Sequence, residues 1–339
     1  MLTLDGMATI LLTTSVPTEP VLRQVPRSVP NWCNHEFVME CNEERIVDAW
    51  FVYDNLVKPE THRVDRRKTM LITGEPPSIR RYRSVFTSQF GAVRTSHSAI
   101  EHPQTIRGHE AQIWHFGMHP CRTHPEILDY DTLANMSLPK KTKLLSVISS
   151  NKTITEDHRR RLRFVDELKN AFGDQIDVFG RGIRDVPDKA DAIWDYKYHI
   201  VLENDHSELY MSEKLPDGFL GWTFPFYSGS IHADKSFPEG SFARIDMYDS
   251  ARSIATIRSH VQSNSYEANI ERVKKARKIV LDELNLFAVL CQTYDAMEAS
   301  LPSQQRKPQT RVRPLTLHPK RNSVQLSMKR IMRALSLAH

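Results

Sequence analysis

Residues 198–229 read YHIVLENDHSELYMSEKLPDGFLGWTFPFYSG, and they hold the densest chemistry in the chain. An apolar run, Tyr198 to Leu202, stops at Glu203-Asn204, and ten residues after Glu203 a second carboxylate stands beside a lysine, Glu213-Lys214. A run of strand length that stops on a carboxylate and an amide puts both at a strand's carboxyl end, where ligand groups collect in open α/β sheets. Ser212-Glu213-Lys214 has the form of a helix start with Ser212 as N-cap. Free N–H groups there, with the Lys214 ammonium, suit a diphosphate. Carboxylates suit sugar hydroxyls, which donate hydrogen bonds that a phosphate cannot. A lysine for the anion flanked by a glutamate for hydroxyls describes a nucleotide-sugar site. The plainer alternative is a surface Glu-Lys pair at a helix start.

Other candidate ligands are weaker. Asp129-Tyr130-Asp131 is the one Asp-x-Asp triplet, a pattern that can hold a divalent metal against a diphosphate. It lies outside the 198–229 block and reads as structural. His115 and His119 are four apart, but Gly117 between them and Pro120 after them argue against the helix that would bring them to one zinc. His124 adds no clear third ligand. Cys33, Cys41, Cys121 and Cys291 are scattered without a C-x-x-C. They read as free thiols of a reducing compartment, neither a disulfide framework nor a zinc site.

Elements that could position these residues follow from the apolar pattern. "KLLSVISS" (143–150) is a strand, Thr155 an N-cap, and Leu162, Val165, Leu168 and Phe172 trace a helix that Gly173 can end. "IDVFG" (176–180) is the next strand, with Gly180 and Gly182 allowing a tight turn. "YHIVLEN", "TFPFYSG" and "FARIDMY" (242–248) follow. Continuous apolar runs predict a parallel sheet covered on both faces. "ATILLTT", "EFVMEC", "AWFVYD" and "KTMLITGE" suggest a second, N-terminal α/β unit, with the Pro-rich 16–30 as loop and a long helix over about 265–298 closing the fold. The boundary falls near Pro139-Lys140. The division is 1–139, 140–300, and a basic tail, 301–339.

Composition is that of a soluble globular protein, 339 residues with 40% hydrophobic and 26% charged. No run approaches the roughly 20 apolar residues of a membrane span, and 7–16 lacks the features of a secretory signal. The net charge of +5 concentrates at the C-terminus, since Arg306 to Arg333 includes no Asp or Glu. Val324, Met328, Ile331 and Leu335 recur at helical spacing among Lys329, Arg330 and Arg333. A solvated tail and an amphipathic helix on anionic lipid both fit. Nucleic acid does not: no aromatic is interleaved to stack on bases, and no RNA- or DNA-binding signature is present.

The series Glu203-Asn204, Tyr210, Ser212-Glu213-Lys214, Pro225, Gly229 and Ser241-Phe242 resembles the α-1,3-fucosyltransferases of glycosyltransferase family ten. Lys197, the "IDVFGRG" segment, Ser150-Asn151 and Arg161-Leu162-Arg163 continue the resemblance upstream, so that it spans about 145–250. The N-terminal half offers "MLITGE", whose Glu75 matches the family's catalytic base. Ser212 stands where threonine is common, and the Ser150-to-Arg161 interval is longer than in some relatives. Arg160, Arg161 and Arg163 therefore compete as phosphate ligand, with the register of the Phe164–Leu168 helix favouring Arg161.

The resemblance implies a GT-B fold, two Rossmann-like domains facing across a cleft, with donor on the C-terminal one and acceptor on the N-terminal one. It implies transfer of fucose from GDP-fucose to an acceptor glycan hydroxyl by inverting single displacement, with an α-1,3 linkage. Glu75 would be the base and Arg161 and Lys214 would hold the diphosphate. Ser150, Asn151, Arg163 and Lys197 join the donor set, and Glu203, Asn204, Tyr210 and Glu213 would meet ribose or fucose hydroxyls. The cations replace a metal, so no cofactor and no obligatory metal is expected. Location would be cytoplasmic, with peripheral contact of 305–339 at the inner membrane face. A GT-B enzyme using another GDP-sugar is one alternative. A silent nucleotide-sugar-binding protein is another, and would be expected to lack Glu75.

Overall fold

The computed structural model describes residues 7–39, 41, 43–109, 111–153, 155–301 and 307–315. The first sheet is built from β1 (Thr9–Thr14), β2 (Asn31–Trp32), β3 (His35–Val38), β4 (Ala49–Tyr53), β6 (Thr69–Ile72), β7 (Ala92–Thr95) and β8 (Thr105–Arg107), in the order β2-β3-β1-β4-β6-β7-β8. Between β4 and β6 the chain forms β5 (Glu60–Arg63), which belongs to a separate ribbon. All neighbours in the first sheet are parallel except the hairpin β2–β3. The second sheet comprises β9 (Lys143–Ile148), β10 (Ile176–Phe179), β11 (Tyr196–Leu202), β12 (Phe224–Ser228) and β13 (Ala243–Arg244), all parallel, in the order β10-β9-β11-β12-β13. Two parallel sheets covered by helices are the α/β architecture that the apolar runs predict. β4, β6 and β12 are buried at every position, as expected for strands covered on both faces.

Local chemistry explains the main boundaries. Helix Glu156–Phe172 starts at Thr155, whose Oγ1 accepts the His158 N–H at 3.2 Å while His158 Nδ1 accepts the Thr155 N–H at 3.3 Å. It stops at Gly173, whose φ of +53° is open to glycine. Its buried face (His158, Arg161, Phe164, Val165, Leu168, Phe172) follows the helical period onto the second sheet.

Several elements differ from expectation. The Pro-rich 16–30 includes helix Thr18–Leu22 and a 3₁₀ turn Pro26–Ser28. The expected strand 242–248 shrinks to Ala243–Arg244. The single helix over 265–298 is three helices, Ser265–Ala268, Ile270–Asp282 and Leu286–Ser300. Asn285 makes the second break. Its Oδ1 caps Phe287 N at 2.9 Å and its Nδ2 donates to Gln24 O at 2.6 Å. The chain thereby leaves the core of the second sheet, and Leu286–Ser300 packs Phe287, Leu290 and Tyr294 beneath the first sheet with Phe37, Phe51 and Met70. Residues 286–300, grouped with the second unit from sequence, thus lie in the first core. β14 (Gln309–Val312) then pairs antiparallel with β5. Among the described residues no helix is long and apolar enough to cross a membrane. The amphipathic pattern 324–335 lies outside the described residues.

Candidate functional site

Strand order in the second sheet reverses between β9 and β11, and the crevice beyond the carboxyl ends of such a pair is where open α/β sheets take ligands. Ser149, Ser150 and Asn151 follow β9; Glu203 and Asn204 follow β11. Arg161 reaches both. Its Nε donates to Ser149 Oγ at 3.1 Å, its Nη2 to Ser150 Oγ at 3.2 Å and Ser150 O at 3.3 Å, and its Nη1 to Asn204 Oδ1. Helical rotation separates the three arginines. Arg160 donates to Met247 O and Ser250 Oγ, and Arg163 is exposed and paired with Glu156. Only Arg161 of the three faces the crevice. The turn after β10 is built around it: a Cβ on Gly180 would lie 2.2 Å from Ser149 O, and one on Gly182 would lie 2.2 Å from Asn151 Nδ2, at φ of +128° and +76°.

Glu203 is fully buried and saturated. It accepts the Ser212 N–H at 2.9 Å, the Ser212 hydroxyl at 2.7 and 2.9 Å, and the Lys214 ammonium at 3.0 Å. Its carboxylate therefore anchors the 212–214 segment and holds Lys214, rather than facing solvent to meet a sugar. Gly229 closes over it, since a Cβ there would lie 2.5 Å from Glu203 Cγ and from the Tyr227 hydroxyl. Helix Lys214–Leu220 begins one residue later than expected, with Glu213 at the cap position, and Ser212 Oγ accepts the Lys214 N–H at 3.3 Å.

Glu213 points the other way, into a cluster with Lys189, Asp217 and His115, whose neighbours Trp114 and Phe116 pack in the core of the second sheet. Lys189 Nζ lies 2.7 Å from Glu213 Oε1 and 2.6 Å from Asp217 Oδ2, and His115 Nδ1 lies 3.5 Å from Glu213 Oε1. Burial pushes the Glu213 carboxyl up, but Lys189, Lys214 and His115 outweigh it and hold it well below the usual range. Asp217 also accepts the His115 and Phe116 N–H groups at 2.9 and 3.0 Å. Beside this cluster a cavity of about 320 Å³ is lined by His115, Ile148, Gly180, Arg181, Val186 and Lys189.

Glu75 follows β6 of the first sheet. Two backbone N–H groups, those of Gly74 and Glu75, donate to the Tyr82 hydroxyl at 3.0 and 3.2 Å. Tyr82 donates in turn to Asp54, which also holds Arg80. His97 Nε2 lies 2.8 Å from Glu75 O. The loop is thus fixed by its backbone, while no hydrogen bond to the Glu75 carboxylate is made among the described residues. Burial raises that carboxyl, Arg80 lowers it, and the charges of Asp54, Glu213 and Lys214 are all felt there. The loop lies against the second unit, where the Ser78 N–H donates to Asp205 at 3.0 Å, and the Glu75 carboxyl feels the charges of Glu213 and Lys214 there. Lys152 joins from the β9 end: burial lowers its ammonium, and so do Arg181, Arg161 and Lys214, with Glu75 opposing. His158 beneath is pushed down to about 4 by burial and then by Arg161 and Lys152. The crevice gathers Arg161, Lys152, Arg181 and Lys214, the last held by the buried Glu203, on the side across from Glu75.

Not every expected residue converges. Lys197 is at the start of β11 and pairs with Glu267. Six residue steps along the strand, about 20 Å, separate it from Glu203. Tyr210 is buried, its N–H donating to Ser207 O at 3.1 Å. Lys152, Arg181, Lys189 and Asp217 are not among the residues the sequence singles out, and His115 is weighed there only as a zinc ligand. Arg181 had a signal in its Gly-x-Gly turn and Asp217 lies one helical turn after Glu213, whereas Lys189 meets Glu213 and Asp217 only through long-range contacts. As to metals, Asp129 caps helix Tyr130–Asn135 by accepting Thr132 N at 2.8 Å, and Asp131 accepts Arg27 N at 2.5 Å. His115, Glu213 and Asp217 could hold an ion by spacing, but the Lys189 ammonium already bridges the two carboxylates. In the second such group, Cys121, His124 and Asp188, Asp188 is engaged by the N–H groups of Gly117, His119 and Ala190.

Residues 138–305 match the model of the C-terminal domain of glycosyltransferase family 10 (fucosyltransferase). No curated protein sequence matches the chain. The fold is similar to that of an α1,3-fucosyltransferase crystallised with GDP-fucose, at 14% identity over 90% of this chain and 95% of that one, TM-score 0.50. Similar values hold for α1,3-fucosyltransferase with GDP (16% identity, 86% and 90% covered, TM-score 0.49) and for a third structure described as α1,3-fucosyltransferase (16%, 78% and 80%, 0.48). At such identities the likeness concerns the fold, which is GT-B.

Proposed function

Because the chain belongs to glycosyltransferase family 10 (fucosyltransferase), we propose that it transfers fucose from GDP-fucose to an acceptor glycan hydroxyl, with inversion and an α-1,3 linkage. One observation carries the reading: Arg161, Lys214, Lys152 and Arg181 gather at the β9/β11 crevice and face Glu75 from the other unit. Like charges at close quarters are costly unless an anion joins them, and a diphosphate is such an anion. Arg161 and Lys214 hold it, Lys152 and Arg181 line its approach, and the neighbouring cavity takes the base.

Glu75 accepts the proton of the acceptor hydroxyl as that oxygen attacks the anomeric carbon from the face opposite GDP. The sugar passes through an oxocarbenium-like state, and charge growing on the leaving diphosphate is met by fixed cations. These supply the stabilisation that a divalent metal supplies in other enzymes, so we propose no obligatory metal. Glu203 acts through Lys214 and Ser212, leaving hydroxyl contacts to Asn204 and Glu213. Acceptor binds mainly on the first unit. The basic segment 305–339 is proposed to touch anionic lipid. Sedimentation with anionic vesicles, undiminished on deletion of 316–339, would refute this.

The test is calorimetric titration with GDP-fucose, GDP-mannose and UDP-galactose in the presence of EDTA. Fucose-preferring binding is expected, and absence of GDP-sugar binding would overturn the reading.

A further inference from the structure

We propose that Cys33 and Cys291 are a reversible disulfide site, remote from the Glu75 crevice and independent of the donor reading. Cys33 and Asn34 form the two-residue turn between β2 and β3, with φ of +47° and +67°. Two consecutive left-handed residues are the signature of the tight hairpin turn, and this turn presents Cys33 as an exposed thiol. Cys291 is its counterpart from far along the chain. It lies on helix Leu286–Ser300, is 1% exposed, and its Sγ donates to Trp32 O at 3.3 Å, the carbonyl adjoining Cys33.

Cys291 Sγ thus reaches the backbone next to Cys33, and burial raises its thiol above the ordinary value, with the Cys33 and Asp295 groups raising it further. The roles of the two thiols differ accordingly. Exposed Cys33 is reached by an oxidant, whereas buried Cys291 stays protonated until a partner is presented to it. The other two cysteines are placed differently. Cys41 Sγ donates to Glu43 O at 3.0 Å, and Cys121 Sγ lies 3.2 Å from Thr123 Oγ1.

The oxidant is a small-molecule disulfide, RSSR. The Cys33 thiolate attacks one of its sulfurs and expels RS⁻. Cys291 then releases its proton and attacks Cys33 Sγ, forming the protein disulfide and expelling the second RS⁻. Both thiol protons end on the two RS⁻ groups, and the electron pair removed from the protein reduces RSSR. The closeness of Cys291 Sγ to the turn that carries Cys33 favours this second step over persistence of the mixed disulfide. The bond ties the β2–β3 hairpin to the helix beneath the first sheet. β3 and β1 pair from Thr9↔Glu36, so the hairpin turn lies at the amino end of the parallel strands, while Glu75 follows the carboxyl end of β6. The cross-link closes a long loop and stabilises the fold without reaching the crevice.

The experiment is incubation of the full chain with oxidised glutathione, acid quenching, alkylation and mass mapping. The expected product is lighter than the reduced protein by two hydrogens, links the Cys33 and Cys291 peptides, melts several degrees higher, and reverts with dithiothreitol. Cys33→Ser, on an exposed side chain, is expected to remove the product, as is Cys291→Ala. Should Cys291→Ala fail to fold, Cys33→Ser carries the test. A Cys41→Ser/Cys121→Ser double variant is expected to retain the product. A persistent glutathione adduct on Cys33, or a link mapped to Cys41 or Cys121, would overturn the proposal.

Discussion

The carboxylate of Asp205 accepts the backbone N–H of Ser78 at 3.0 Å. Ser78 is three residues past Glu75 in the first unit, and Asp205 is next to Asn204 in the second, so one buried carboxylate joins the two halves of the crevice. Burial pushes the Asp205 carboxyl up, but hydrogen bonds from Ser207 and Ser78 outweigh it and leave it below its ordinary value. A depressed carboxyl contributes stability above its unfolded pKa, and that contribution is lost as pH falls through the folded value. Asp205→Ala is therefore expected to cost roughly 1–3 kcal/mol at neutral pH. Its deficit against wild type should shrink below about pH 4. Denaturant titrations at pH 7 and pH 3 check this; an equal deficit at both would exclude the carboxylate as its source.

Lys214 is the cation that Glu203 and Ser212 hold in place. Lys214→Ala is expected to weaken GDP binding by about tenfold to a hundredfold, the worth of one charge-assisted contact. Arg163→Ala, on an exposed side chain paired with Glu156, should leave it unchanged. Calorimetry on the two variants decides between Arg163 as donor ligand and Arg163 as surface residue.

Glu75→Gln is expected to abolish transfer while GDP-sugar binding survives. Because burial raises the Glu75 carboxyl, the acid limb of the kcat/KM profile should lie above the ordinary glutamate range, with activity lost as pH drops through it. The sign for stability is opposite. A raised carboxyl binds its proton more tightly in the folded state and costs stability at neutral pH, so Glu75→Gln should melt no lower than wild type. A lower melting temperature would mean that Glu75 supports the fold.

Glu203→Ala removes the acceptor of three donors and strands Lys214. Breaking a buried pair costs about 3–5 kcal/mol, and partial exposure of Lys214 reduces that to roughly 2–4 kcal/mol. Gly229→Ala should mimic it in part, at about 1–3 kcal/mol for overpacking, because the new Cβ meets Glu203 and Tyr227. Chemical denaturation of both variants is the measure. A neutral Gly229→Ala would show that the loop can yield.

Much of the second unit is legible in the sequence because it is local. Continuous apolar runs mark β9, β10, β11 and β12. Thr155 and Gly173 mark the ends of a helix, and Glu203-Asn204 marks a strand end, since each depends on neighbours within a few residues. The same locality misleads where contacts are distant. Periodicity runs the last helices together, while Asn285, reaching Gln24 across the fold, divides them. Lys197 and Arg163 stand close to the site in sequence, yet strand length and helical rotation carry them away from it. Glu203 and Glu213 look alike as carboxylates near Lys214; burial turns the first into an anchor and Lys189 draws the second into a cluster with His115 and Asp217. Residue types and spacing were enough for the second sheet and for the charged strand end at its crevice, but not for β2, β7 and β8 of the first sheet or for the β5–β14 ribbon. Which side chains line that crevice, and that the Glu75 carboxyl feels the charge of Lys214 across it, depended on packing between segments that no short window of sequence contains.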